Sequence, residues 1–215
     1  MKTLKLNHFT LPELSLEALP AWLDEQGVDF NAIDTVNWAE YPYRPEAAFR
    51  IVATDKGFVI NYRVTEESVA AVADGDCGHV WEDSCVEFFS CPADNGVYYN
   101  IEANCAGTVL VAAGKDRNAR TFAPKEVLEG IQRWSSLGRD NFAERIGEVT
   151  WQLVLLVPYS TYFQHDIKNV EGLTFTANFY KCGDNLRTPH FLSWNPIEVA
   201  NPDFHRPEFF GKVEG

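Results

Sequence analysis

Positive charge is scarce in this sequence: 18 Lys and Arg stand against 31 Asp and Glu, for a formal net charge of −13. Such a surface repels phosphate backbones, which argues against nucleic acid as a partner. Long apolar runs are also missing. The most apolar stretch, "VTWQLVLLVPY", is too short to cross a membrane and ends at Pro158. The first residues contain no continuous apolar core of signal-peptide type, so the expected location is cytoplasmic, or extracellular or periplasmic if a leader has been cut away. Five cysteines form no CxxC pair, which argues against a disulfide framework and a zinc knuckle. Reduced thiols fit a cytoplasmic protein. The chain has no GxSxG, P-loop, HExxH or GxGxxG motif. Asp74-Gly75-Asp76 lacks the order of a calcium loop and reads as a turn. The histidines are scattered, and Met1 is the only methionine. No cofactor is expected from these residues.

What the sequence has in quantity is aromatic side chains, at 13% of residues. They favour strands, and they also build stacking surfaces for ligands. The length, 215 residues, suits one domain covering the whole chain. In "ELSLEALPAWLDEQ" a short helix is expected, with Ser15 as its cap and Pro20 limiting it. After this the apolar period becomes two. Phe58, Ile60, Tyr62 and Val64 alternate with Val59, Asn61 and Arg63. The same alternation runs through "VYYNIEAN" and "LTFTANFYK". Further strands are expected at 48–54, 84–91, 107–112, 131–135, 148–157 and 190–194. Turn chemistry separates them in "ATDKG", "PADNG", "AAGKDRN" and "KCGDN". The stretch 114–147 reads as irregular, with a long surface loop. Many short strands and few helices predict an all-β antiparallel sandwich.

One strand raises a chemical question. In "VWEDSCVEFF", Val86, Phe88 and Phe89 read as core, yet Glu87 sits among them. Burying an unpartnered carboxylate is costly. Either Glu87 pairs with Arg44, Arg50 or Lys181 inside the sandwich, or its face lines a groove. Asn100, Glu102 and Asn104 share one face of their strand, as do Thr174, Thr176 and Asn178. Each row is either a solvated outer face or a surface that hydrogen-bonds hydroxyls, since amides and acids offer donors and acceptors at fixed spacing. Asp83 and Glu87 stand about 13 Å apart on an extended strand, at roughly 3.3 Å per residue. That is too far for a glycosidase pair, which needs about 5 Å or about 6.5–9.5 Å. Glu87 with Glu102 on a neighbouring strand leaves the enzyme alternative open.

"VWEDSCVEFF", "YYNIEANCAGT", "TANFYKCGD", "PHFLSWNP" and "PDFHRPEFFGKV", in this order, resemble the family 9 carbohydrate-binding modules, and more closely the stand-alone bacterial family 9-like proteins. The resemblance runs from about Phe49 to the C-terminus; residues 1–40 match no landmark and read as an N-terminal extension packed on the domain. It implies a jelly-roll-type β-sandwich that binds a mono- or oligosaccharide without catalysis, two aromatic rings holding a terminal sugar over a polar strand. Trp81 falls at the first ring, Glu87 at the acid, Asn100 and Glu102 at the polar pair, and Phe204 at the second ring. Two positions depart from the pattern: Phe204 replaces a tryptophan, and Asn100 an arginine. The family also carries structural calcium, for which no ligand run is found here. The expected ligand-binding set is Trp81, Glu87, Asn100, Glu102, Asn104, Lys181, Trp194 and Phe204. The alternatives are a sugar-processing enzyme using Glu87 and Glu102, and an interaction module that has lost its ligand.

Overall fold

A computed structural model describing residues 1–215 turns the two-residue period into strands. The chain begins with β1 (Thr3–Lys5), β2 (His8–Phe9), α1 (Leu19–Glu25), β3 (Asn31–Ala32) and β4 (Thr35–Val36). The long strands follow as β5 (Glu46–Thr54), β6 (Gly57–Ala71), β7 (Cys85–Cys91), β8 (Tyr98–Asn104) and β9 (Val109–Gly114). Next come β10 (Thr121–Phe122), α2 (Lys125–Gly130), β11 (Gln132–Ser135) and β12 (Phe142–Pro158). The chain closes with β13 (Thr174–Cys182), β14 (Phe191–Ser193) and β15 (Gly211–Glu214).

These strands form two sheets. The front sheet runs β1-β15-β13-β7-β8-β9-β10, with β14 on β13 and β4 on β14. The back sheet runs β11-β12-β6-β5-β2, with β3 also on β5. Every pairing is antiparallel except β1 with β15 and β2 with β5. The result is the expected all-β antiparallel sandwich of jelly-roll type with a short N-terminal helix.

Three local expectations are corrected. Ser15 makes no side-chain cap; it precedes a single 3-10 turn, and α1 starts only at Leu19, with Pro20 in its first turn where a missing N–H costs nothing. The stretch 114–147 is less irregular than its composition suggests, since it holds β10, α2, β11 and the start of β12. Residues 1–40 are woven into both sheets, because β1 pairs with β15, β4 with β14, and β2 and β3 with β5. Strands of two or three residues are too short to show a period.

Alternation decides what each face does. Phe49, Phe58, Ile60, Tyr62 and Val64 point from the back sheet into the main core. Val86, Phe88, Tyr99, Ile101, Phe175 and Phe179 meet them from the front sheet. Phe179 stacks between Phe49 at 3.5 Å and Phe88 at 4.9 Å. Each such aromatic pair adds about 0.5–1.5 kcal/mol beyond area burial. The outer face of the back sheet is covered by α1, whose Leu19 and Leu23 pack on Val52, Val59, Val154 and Leu156. Gly57 opens β6 at φ +145°, and a Cβ there would lie 2.1 Å from the Val157 carbonyl oxygen, so the backbones of β6 and β12 approach as only glycine permits. The outer face of the front sheet is covered differently, by loops, and these leave a space.

Candidate functional site

A cavity of about 250 Å³ lies over the outer face of the front sheet. Its floor comes from the residues that alternation points away from the core: Glu87 and Phe89 of β7, Asn100 and Glu102 of β8, Leu110 and Ala112 of β9, and Cys182 at the end of β13. Loops supply the walls. Trp81 stands on the 3-10 turn Val80–Glu82, its ring 4.6 Å from His79. The turn after β13 is tied to it by backbone bonds, Asp184 N–H to the Trp81 carbonyl and Asn185 N–H to that of Glu82, which brings Asp184 to the wall. Phe204 belongs to the proline-braced loop before β15. Its ring lies 4.1 Å from Tyr180 and within 5° of parallel, so one face is already covered.

Five of the eight residues expected from the sequence therefore meet in one cavity: Trp81, Glu87, Asn100, Glu102 and Phe204. The other three stand elsewhere. Asn104 is fully buried, where its amide donates to Asp83 and its oxygen accepts from the Ala106 and Thr108 N–H groups, closing the β8–β9 turn. Lys181 is directed into the core. Its Nζ lies 2.8 Å from Glu66 and donates to His190 Nε2 at 2.8 Å, while Trp151 Nε1 donates to the other Glu66 oxygen at 2.7 Å. His190 Nδ1–H then donates to the Thr188 carbonyl, which fixes a neutral imidazole. Burial, with Lys181 second, holds its pKa down to about 2. Trp194 packs in the main core with its ring against Gly211, where a Cβ would come within 2.4 Å.

The floor chemistry centres on two carboxyls. Glu87 and Glu102 are directly opposed in the β7–β8 register. Both are buried, and Oε2 of each has no hydrogen-bond partner. The other oxygens are occupied: Cys182 Sγ reaches Glu87 Oε1 at 3.2 Å, and Asn100 Nδ2 donates to Glu102 Oε1 at 2.9 Å. Burial first, and for Glu87 the neighbouring Glu102 second, raises the pKa values; Glu102 is pushed up to about 7 and Glu87 well above the ordinary carboxylate range. None of Arg44, Arg50 or Lys181 pairs with Glu87. Arg50 is held instead by Asp24, Asn61 and the Pro20 and Val28 carbonyls.

Sequence reasoning missed several lining residues. Arg120, just before β10, donates to Asn100 Oδ1 and to the Tyr98, Ala112 and Gly114 carbonyls, and lies 4.1 Å over the Tyr98 ring. A guanidinium thus adjoins the position where the family resemblance led one to expect an arginine, delivered from the loop before β10. Arg117 pairs with Asp203 at 3.3 Å. His205 accepts from or donates to the Tyr98 hydroxyl at 3.0 Å, and burial lowers its pKa to about 4. Phe122 puts an exposed ring on the wall. The available signal was "AAGKDRN", a basic turn leaving a strand beside the Asn100 row, which reads as an ordinary loop.

One set of side chains converges closely enough to hold a metal: Cys85, Cys182 and Glu87, with their ligating atoms within 4.8 Å of one another. Two thiols suit soft metals. Calcium takes six to eight hard oxygen ligands, and these residues do not fit it.

Comparison with known proteins places the chain in a family. The family model described as carbohydrate-binding family 9 matches residues 17–214. The fold is similar to that of a candidate carbohydrate-binding protein from Bacteroides uniformis ATCC 8492, at 48% identity and TM-score 0.96 over 99% of this chain and 98% of that one. It is also similar to a family 9 carbohydrate-binding module from Caldicellulosiruptor kristjanssonii, in complex with glucose (12% identity, TM-score 0.59, 99% and 95% covered) and with cellotriose (12%, 0.58, 99% and 93%). No curated protein matches the sequence. With the family model spanning nearly the whole chain, the chain belongs to carbohydrate-binding family 9.

Proposed function

We propose that this protein binds a mono- or oligosaccharide, without cleaving it, in the cavity on the front sheet. A sugar ring has apolar C–H faces and a hydroxyl edge, and calls for aromatic walls with a few fixed polar groups. Trp81 and the free side of Phe204 supply the walls. Glu87 and Glu102 accept hydroxyls, and Asn100, braced by Arg120, orients the edge. The reading rests on one observation: Trp81, Phe204, Glu87 and Glu102 line the same cavity, and each carboxyl keeps one oxygen without a hydrogen-bond partner. Its volume, about 250 Å³, suits a single sugar or the end of a chain. The Caldicellulosiruptor module was solved with glucose and with cellotriose, which makes a glucose-type ring the first ligand to test. The five free cysteines fit a reducing compartment such as the cytoplasm, where the ligand would be a saccharide already taken up.

A shallow site of this kind binds at micromolar to millimolar strength, about −4 to −8 kcal/mol. The test is titration calorimetry with glucose, cellobiose, cellotriose and xylobiose. Trp81→Ala lowers the affinity by about tenfold or more, the scale of an aromatic anchor, while the circular dichroism stays that of the wild type. A folded wild-type protein that gives neither heat nor thermal shift with any sugar defeats the reading.

A further inference from the structure

The charges lining the cavity do not balance. Four carboxyls, Glu87, Glu102, Asp184 and Asp203, face two guanidiniums, Arg117 and Arg120. Both guanidiniums are committed. Arg117 is paired with Asp203, and Arg120 is spent on Asn100 and three backbone carbonyls. Neither Glu87 nor Glu102 has a cation at ion-pair distance, and Arg120 reaches Glu102 only through Asn100. The two acids oppose each other across adjacent strands, where Cβ atoms stand about 4.5–5.5 Å apart; each lines the cavity, is at least nine-tenths buried, and keeps one buried oxygen without a partner. Asp184 adds a third acid to the same wall.

We propose that the sugar this cavity takes carries a protonated primary amine, seated between Glu87 and Glu102. The inference rests on the sugar-binding reading above and narrows its ligand to an amino sugar. The chemistry of the donors favours it. An ammonium has three N–H donors and no acceptor, so every orientation suits two facing acids, and its charge favours the ionised form of both over the protonated form that burial favours. A hydroxyl donates once and can accept only from an acid that has kept its proton, so it forms no bond between two charged partners. Bonds between charged partners are also about twice as strong as neutral ones, and the ammonium offsets the repulsion between two acids held in a buried site. The aromatic walls distinguish a ring-borne amine from an open-chain one, since Trp81 and Phe204 offer flat surface that a polyamine does not fill.

The experiment is titration calorimetry near neutral pH with glucosamine, glucose, N-acetylglucosamine and spermidine. Glucosamine is expected to bind about tenfold or more tighter than glucose or N-acetylglucosamine, the gain of one charge-assisted contact. Spermidine binds more weakly than glucosamine. Glu102→Gln and, separately, Glu87→Gln abolish the preference for glucosamine over glucose, read as the ratio of the two affinities in the same variant. Because the preference is read on the wild type, a poorly folded variant does not spoil the test. Glucose binding as well as glucosamine overturns the amine and leaves the sugar reading standing. Spermidine matching glucosamine overturns the amino-sugar identity. Silence from every sugar sinks the sugar reading itself.

Discussion

Replacing Glu102 by glutamine should make the protein more stable, and only above mildly acidic pH. Glutamine keeps an oxygen for Asn100 Nδ2, so the Arg120–Asn100–Glu102 chain of hydrogen bonds survives. What it removes is the ability to ionise. In the fold, the Glu102 carboxyl is displaced from an ordinary 4.5 to about 7, chiefly by burial. A raised carboxyl pKa means that the fold prefers the protonated form. That stability is complete below about pH 4.5 and is lost as the pH rises through about 7. At about 1.4 kcal/mol per tenfold change in proton affinity, the loss is about 3 kcal/mol. Glu102→Gln should therefore match the wild type at the acid end and exceed it by about 3 kcal/mol on the alkaline side, or by about 6–12 °C in Tm for a chain of this size. Urea titrations followed by tryptophan fluorescence, repeated across the pH range, measure the difference. Glu87 and Asp184 titrate in both proteins, so much of their contribution cancels. Stability curves that run parallel at every pH, or a variant less stable at the alkaline end, would refute the reasoning.

Lys181→Met leaves Glu66 charged and unpaired in the core and should cost about 3–5 kcal/mol in urea unfolding; Lys181→Met with Glu66→Gln should recover a good part of it, and no recovery would show that Trp151 or His190, rather than the ion pair, sets the cost. Arg120→Ala leaves the Tyr98, Ala112 and Gly114 carbonyls without their donor. It should cost about 1–3 kcal/mol of stability and weaken sugar binding in the same calorimetric assay. Gly57→Ala forces a side chain into φ +145° and against the Val157 carbonyl. The backbone strain alone is worth about 1–3 kcal/mol, and a thermal melt equal to the wild type would contradict the close approach of β6 and β12.

Alternation carried most of the fold and about half of the site. Glu87, Asn100 and Glu102 could be read as one outer face because residues two apart on facing strands share a side. The same parity placed Lys181 with Phe175, Ala177 and Phe179, on the core side. A lysine there looks like an error of register until Glu66, itself on a neighbouring sheet, is seen to meet it. Asn104 follows the parity of Asn100 and Glu102, but the strand ends at it, and its amide serves the turn. Trp194 is an aromatic beside a polar turn, as Trp81 is; what separates them is that β15 brings Gly211 under one ring and nothing covers the cavity side of the other. Arg120 and Phe122 were invisible because their place depends on β10, a two-residue strand whose pairing with β9 no local period announces.

The parallel pairing of β1 with β15 has a consequence for how the molecule is made. Lys2 N–H reaches Asn195, and Leu4 lies opposite Val213, so β1 waits for β15. Contacts of such long sequence separation are slow to form, because a large loop must close before any bond rewards it. The front sheet can therefore be finished only after the final strand has left the ribosome. Removing β15 would strip the edge of β13 at Thr174–Ala177 and expose bare peptide groups to the solvent and to other chains.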